Sequence, residues 1–487
     1  MNDSRKWWIL SVTSLGSLLS ALNFSTLIIA LPDLLQGLQA TLLQAMWVML
    51  SYMVAQTVMV LMAGSLADRF GRKRIYIVGM LLFTVVSLAA GFAENAPLLI
   101  IFRILQGIGG AMIMANSTAI VADAFPKEEL GRALGINIMV VAVGQIIGPV
   151  LGGWLTEAFG WEWTFWFNVP FGIIGVVWGF KVLGMKDDKI AAPKAGGLDR
   201  GGAITYVLSI TGLLIALTWG PIQSWTSPVV WVSALFFVAL FPLFLRIEKR
   251  HPNALLHLPL FANRTFSFGI VSATLNAIAR MGVMFMLIFY FQGALEKDAL
   301  VAGIMTIPLA AGMLVVSPLA GLLGDKYGET TPATIGLFLN IFGMAGLALD
   351  TGLSTPFWHL AVYMTIISVG SGLFNSPNSS SIMNAAGPKY RGEASGIRAL
   401  TTNMGMMLSI AFSMPIVTHS IPHEAMLAIF SGTQVGMDDK SSLNGFISGL
   451  HAVFWFMAAL MALATVMSYL RSSRGSRPAA GATLPYK

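Results

Sequence analysis

No cysteine occurs anywhere in the 487 residues. That excludes disulfides and thiolate-held metal while leaving the compartment open. Charge is scarce as well: Asp, Glu, Lys and Arg make up 10% of the chain, against about 25% in a soluble domain. No Asp or Glu falls near the middle of any long apolar stretch. A Gly-x-x-x-x-Gly-Lys-Ser/Thr phosphate loop is missing, so ATP is not the direct energy source. The histidines (251, 257, 359, 419, 423 and 451) lack metal-ligand spacing. Neither an enzyme nor a cofactor or metal is expected.

What fills the chain is apolar: 56% of residues are hydrophobic and the mean hydropathy is +0.76. Roughly 20 such residues cross a bilayer as a helix, and continuous runs of this length exclude a membrane barrel. Helices are expected near 7–31, 43–66, 74–93, 97–122, 131–156 and 164–184, then 201–219 and 229–246. Six more follow near 266–292, 298–322, 331–350, 356–383, 391–418 and 445–470. The first stretch is too long for a signal peptide's apolar core and reads as a retained span.

The net charge of +7 does not point to nucleic acid, because the basic residues lie in short loops. With fourteen spans, only Lys297 and Lys440 face the side opposite the termini, and only Arg103, Arg280 and Arg398 fall within spans. The positive-inside rule then places both termini in the cytoplasm of a cell-membrane protein.

Internal repetition organises these spans. Gly64-Ser-Leu-Ala-Asp68-Arg69-Phe-Gly71-Arg72-Lys73-Arg74 recurs in worn form, about 257 positions later, as Gly321-Leu-Leu-Gly-Asp325-Lys326-Tyr-Gly328. Asn116-Ser-Thr followed by Gly131-Arg-Ala-Leu-Gly135-Ile returns about 261 positions later as Asn378-Ser-Ser and Gly392-Glu-Ala-Ser-Gly396-Ile. Two homologous halves imply a central cavity near mid-membrane. The expected division is 1–186 for the first six-helix bundle and 187–264 for a linker with two extra spans. Residues 265–471 form the second bundle, and 472–487 a disordered cytoplasmic tail.

The basic loop resembles the signature loop of the major facilitator superfamily. Gly144-Gln145-Ile-Ile-Gly148-Pro149-Val-Leu-Gly152-Gly153 resembles the antiporter motif of its drug:proton exporters, thought there to seal the interface between halves. A bland reading needs only glycines that let helices pack closely. Leu22-Asn23-Phe-Ser25-Thr-Leu-Ile-Ile-Ala30-Leu31-Pro32, Trp47 with Tyr52, and Trp161-Glu-Trp163-Thr-Phe165 resemble the fourteen-span branch. The resemblance implies an all-α integral membrane protein: two pseudo-symmetric six-helix bundles plus two inserted helices. It implies a multidrug-efflux-like antiporter, working as a monomer, that exchanges protons for an amphiphilic small molecule. In the family, Asp68 and Arg72 lock a cytoplasmic gate with an acid matching Asp123; Gly64, Arg69 and Gly71 belong to the same loop, and Asp325 and Lys326 to its copy.

The chain departs from this pattern where charge matters most. The first-span motif normally carries aspartate where this chain has Asn23, and asparagine where it has Ile28. The ionisable groups at membrane depth are arginines, each costing roughly 2.5–3.5 kcal/mol at the bilayer centre. Arg103 opens Arg103-Ile-Leu-Gln106-Gly107-Ile-Gly109-Gly110, similar to a motif whose arginine is implicated in proton coupling. The alternative is an interfacial arginine that snorkels outward. Arg280 lies too deep to snorkel and is expected in the cavity; Arg398, two turns from the cytoplasmic end, reads as a cavity residue or as one in a solvated inner vestibule or loop contact. Asn23, Trp47, Gln56, Gln145, Asn276, Asn375 and Asn378 are candidate lining residues, or helix-bonding amides. A cationic pocket without acids is expected to favour anionic or neutral cargo, with Asp33 or Asp123 as stand-ins for the missing aspartate. An uncoupled or differently coupled transporter of a specific metabolite or lipid is the alternative.

Overall fold

The computed structural model describes residues 3–40, 42–184, 199–222, 225–251, 255–418 and 440–472. The expected tail lies outside them except for its first residue, as do His419, His423 and residues 185–198. Fourteen described segments are long and apolar enough to cross a membrane.

The first half comprises α1 (Asp3–Gly37), α2 (Leu42–Phe70), α3 (Arg72–Ala90), α4 (Ala96–Ala124), α5 (Lys127–Phe159) and a span broken into α6 (Trp163–Trp166) and α7 (Asn168–Leu183). Two further helices, α8 (Arg200–Ile222) and α9 (Pro228–Glu248), pack on each other. The second half holds α10 (Arg264–Phe289), a span broken into α11 (Ala299–Met305) and α12 (Pro308–Tyr327), α13 (Thr330–Asp350), α14 (Phe357–Ala386) and α15 (Arg391–Thr418). It closes with α16 (Lys440–Ser472).

Local chemistry sets several boundaries. The Asn95 side chain accepts the Leu98 amide at 2.9 Å and caps α4, with Pro97 two positions on, in the first turn, where its missing N–H costs nothing. The reversal from α2 to α3 passes through Gly71 at φ 98°, and its copy from α12 to α13 through Gly328 at φ 90°. Side chains other than hydrogen rarely adopt that backbone, so the glycines are what allow both turns.

The halves meet along two seams, α2 against α15 and α5 against α12. A twofold exchange of the halves maps one seam onto the other. Glycines make both possible: a Cβ on Gly64 would stand 2.5 Å from the Gly392 carbonyl oxygen, and one on Gly131 2.7 Å from that of Gly321. Overpacking a fitted interface costs about 1–3 kcal/mol. Gly64→Ala is therefore expected to push the first seam apart. A single thiol placed at buried Ser395 should then react with a soluble maleimide about tenfold faster, on the scale of that cost.

The inserted α8 touches α2 and α15, one helix from each half. Its partner α9 leaves Trp231, Leu235 and Val238 between 65% and 68% exposed. An all-apolar outer face on a membrane-length helix is suited to lipid.

Candidate functional site

Both α1 and the signature loop begin or end at one face of the bundle, here the loop end, and the halves are tied there by a reciprocal arrangement. Asp68 accepts Arg72 Nε at 2.8 Å and Nη2 at 2.6 Å, and reaches across to the Glu393 amide at 3.0 Å. That amide lies in the first turn of α15, where backbone N–H groups have no helical partner and a carboxylate complements the helix dipole. Asp325, its copy, accepts the amides of Gly131 and Arg132 near the start of α5 at 2.9 and 3.0 Å. Each half thus inserts an aspartate against the fifth long helix of the other.

Charge reinforces only one copy. Arg72 also bonds Asp123 and, at 2.9 Å, the Pro388 carbonyl. Arg391 reaches back from the second half to Asp123 at 3.1 Å and to the Ala122 carbonyl. In the second copy Glu329 stands where Arg72 would be, and accepts Ser380 and Asn384 within its own half. Lys326 is exposed, its ammonium 5.1 Å from the Tyr327 ring, and takes no part in this set. Arg69 lies over the Phe70 ring at 5.6 Å. Arg391 was hidden in the sequence among the other basic loop residues, although it adjoins the repeated Gly392 motif.

Deeper in the first half, Arg103 is 1% exposed, so it does not snorkel. Its Nε donates to the Val48 carbonyl at 3.0 Å, and Nη1 donates to Asn23 Oδ1 at 3.2 Å and Gln106 Oε1 at 2.6 Å. The guanidinium lies 4.4 Å from the Tyr52 ring centre, and Gln56 donates to the Tyr52 hydroxyl at 3.1 Å. A buried cation is satisfied here by dipoles and a ring face, with asparagine where the family pattern has a carboxylate. Asn23→Asp is expected to add a charge-assisted bond worth about 2 kcal/mol. A higher melting temperature and new substrate-driven proton uptake in proteoliposomes are the readouts. Asp33, by contrast, is exposed near the far end of α1.

The second half encloses a cavity of about 50 Å³ bordered by Asn276, Arg280, Asn375, Asn378, Arg398 and Thr402. A second space of about 30 Å³, bordered by Gln145 and Thr306, adjoins the same Arg280. No acid borders either space among the described residues. Arg280 is half-buried and has no hydrogen-bond or ion-pair partner among those residues. Arg398 borders the cavity while its Nη2 donates to Thr118 of α4, in the first half, at 3.0 Å. Asn276 accepts Asn340 at 3.1 Å. Asn378 donates to the Gly269 carbonyl at 3.1 Å and accepts Arg471 at 2.7 Å. Arg471 is 4% exposed, where the sequence showed only the start of a basic tail. Trp47 is not gathered here; it packs 5.7 Å from Trp219 of α8.

The glycine run of α5 also differs from its expected place. A Cβ on Gly144 would lie 2.9 Å from Ala21, and one on Gly152 2.5 Å from the Thr26 carbonyl; one on Gly148 would strike the Ser25 side chain. All three neighbours belong to α1, so these glycines tighten packing inside the first half, not between halves. The cause is helical period: residues four apart share a face, and this face meets α1. Gln145, one residue round, borders the space beside Arg280. Gly153 is half-buried, and the Pro149 side chain lies outside what the structure describes.

The model of the Major Facilitator Superfamily matches residues 13–410 and again 269–484. The riboflavin transporter RibZ of Clostridioides difficile is 29% identical over 95% of this chain and 97% of its own length. A methylenomycin A resistance protein of Streptomyces coelicolor is 29% identical over 83% of this chain and 84% of its own. Among solved structures, the proton:xylose symporter XylE aligns with a TM-score of 0.63 at 15% identity, covering 96% of both chains.

Proposed function

Because the chain belongs to the major facilitator superfamily, and its fourteen spans fit the fourteen-span branch, we propose that it is a secondary exporter of amphiphilic small molecules with anionic or neutral character. It is a multi-pass membrane transporter, and its relatives are transporters, not enzymes. The observation that carries the cargo class is Arg280, a cation without a partner among the described residues, in a cavity without a bordering acid. A second cation brought within about 4 Å would meet repulsion of roughly 4 kcal/mol at an effective dielectric of 20.

With both termini in the cytoplasm, the loop end is the cytoplasmic gate, and the structure is a state closed to the cytoplasm. A cavity of about 50 Å³ holds a few waters but not a drug-sized cargo, which needs roughly 300 Å³ or more. Cargo is therefore admitted when the halves rock apart around it, with the Asp68 and Asp325 ties broken and remade in each cycle. Protons supply the driving force. Their entry runs through carboxylates outside the cavity, because neither Arg103 nor Arg280 has an acid beside it. The working unit is the monomer.

Substrate-dependent flux in proteoliposomes, with and without an imposed pH difference, tests export and coupling together. A flux indifferent to pH supports the second reading, an uncoupled carrier of a specific metabolite. The metabolite cargo of that reading is favoured by similarity to a riboflavin transporter across nearly its full length. Riboflavin is accordingly the first metabolite to compare with anionic amphiphiles.

A further inference from the structure

We propose that Arg398 is the latch through which cargo unlocks the cytoplasmic gate. In the closed state Thr118 of the first half holds its guanidinium, and an anionic group bound beside Arg280 once the halves have parted keeps it from returning. The inference rests on the anionic-cargo reading above and adds to it a coupling route from site to gate.

Arg398 does two things at once. It borders the cavity, and its Nη2 bonds Thr118 across the α4–α15 contact at 3.0 Å. Its Nε is buried without a partner, so the guanidinium is under-used where it stands. A guanidinium offers a fork of donors matched to the two oxygens of a carboxylate or similar oxyanion, so such an anion makes two parallel bonds and adds charge attraction where a hydroxyl accepts one bond. Arg280 supplies a second cation on the same cavity.

Helical geometry links this residue to the gate. Arg391, Ser395 and Arg398 are spaced i, i+4 and i+7, hence on one face of α15. Arg391 on that face holds Ala122 and Asp123 of α4. Arg398 lies about 10 Å further into the membrane, seven residues along the helix. It is thus the tie of this seam that touches the cargo space.

A ligand shifts a conformational equilibrium only by its differential affinity for the two states. In the closed state cargo must take Arg398 from Thr118; once the halves part, the guanidinium is available without that loss. An anionic cargo therefore favours the open gate by the worth of one hydrogen bond to a charged group, roughly tenfold. A neutral cargo of the same shape lacks this effect.

The absence of native cysteine makes the test direct. Ser395 is fully buried on the seam face and its hydroxyl has no partner, so Ser395→Cys introduces a sole thiol that a water-soluble maleimide reaches when the seam opens. The probes are 2-naphthoate and its neutral methyl ester, with binding followed independently by equilibrium dialysis. In the Ser395→Cys parent, naphthoate should speed labelling about tenfold and the ester should not. Thr118→Val should speed labelling to a similar degree with no ligand, and naphthoate should then add little. Arg398→Gln should abolish the naphthoate response while Arg280 still supports binding. Naphthoate binding with an unchanged labelling rate, a naphthoate response surviving in Arg398→Gln, or parental labelling in ligand-free Thr118→Val each overturn the latch. Failure of naphthoate to bind the parent instead overturns the anionic-cargo reading beneath it.

Discussion

Arg280→Gln is expected to weaken binding of an anionic amphiphile about thirtyfold, the equivalent of roughly 2 kcal/mol for removing one partner of a buried charged contact. The neutral ester of the same compound should change by less than about threefold, and the cationic amine should bind better, because the repulsion that excluded it is gone. Equilibrium competition among the three probes reads all of this in one experiment. The same substitution should not lower the melting temperature. Arg280 has no hydrogen-bond partner to lose among the described residues, and a charge at this depth opposes insertion by a few kcal/mol. A stabilised protein that has lost its preference for anions is the expected signature of a residue kept for cargo. A destabilised protein whose preference is intact would assign Arg280 to structure alone.

Asp68→Asn should have the second large effect. This carboxylate is 18% exposed, accepts two bonds from Arg72 and spans the seam to the Glu393 amide. Neutralising it leaves Arg72 short of a partner and weakens the cap on α15. Breaking one side of a well-buried pair costs 3–5 kcal/mol, and partial exposure brings this to about 2 kcal/mol here. The closed gate should thus lose about thirtyfold in population, read as faster labelling of the Ser395→Cys thiol and slower net export. Asp325→Asn should cost less, about 1 kcal/mol, because no guanidinium among the described residues bonds Asp325 and one amide can still meet the asparagine oxygen. Comparable losses from the two substitutions would mean that helix capping, and not the arginines, holds the gate.

Which parts of this architecture were legible from residues follows from the physics of each signal. Spans were readable because a bilayer demands about twenty consecutive apolar residues whatever their neighbours do. Duplication was readable because Gly71 and Gly328 meet the same backbone requirement at corresponding turns. Arg280 was also readable: a lone cation at mid-membrane is costly anywhere except a polar space.

Side-chain partnerships were not. Both repeated motifs were visible in the sequence, yet nothing there said that Asp68 meets the copy of Gly131-Arg132 while Asp325 meets the original. Nor did it say that the glycines of α5 turn toward α1, that Arg391 closes on Asp123, or that Arg471 is buried against Asn378. Composition and period thus determined topology and the presence of intramembrane cations by themselves, since both follow from solvent cost and covalent geometry. Only tertiary structure decided which half each cation binds, because that depends on helix rotation and on seams between residues 194 to 325 positions apart. Local propensity carries no information about either.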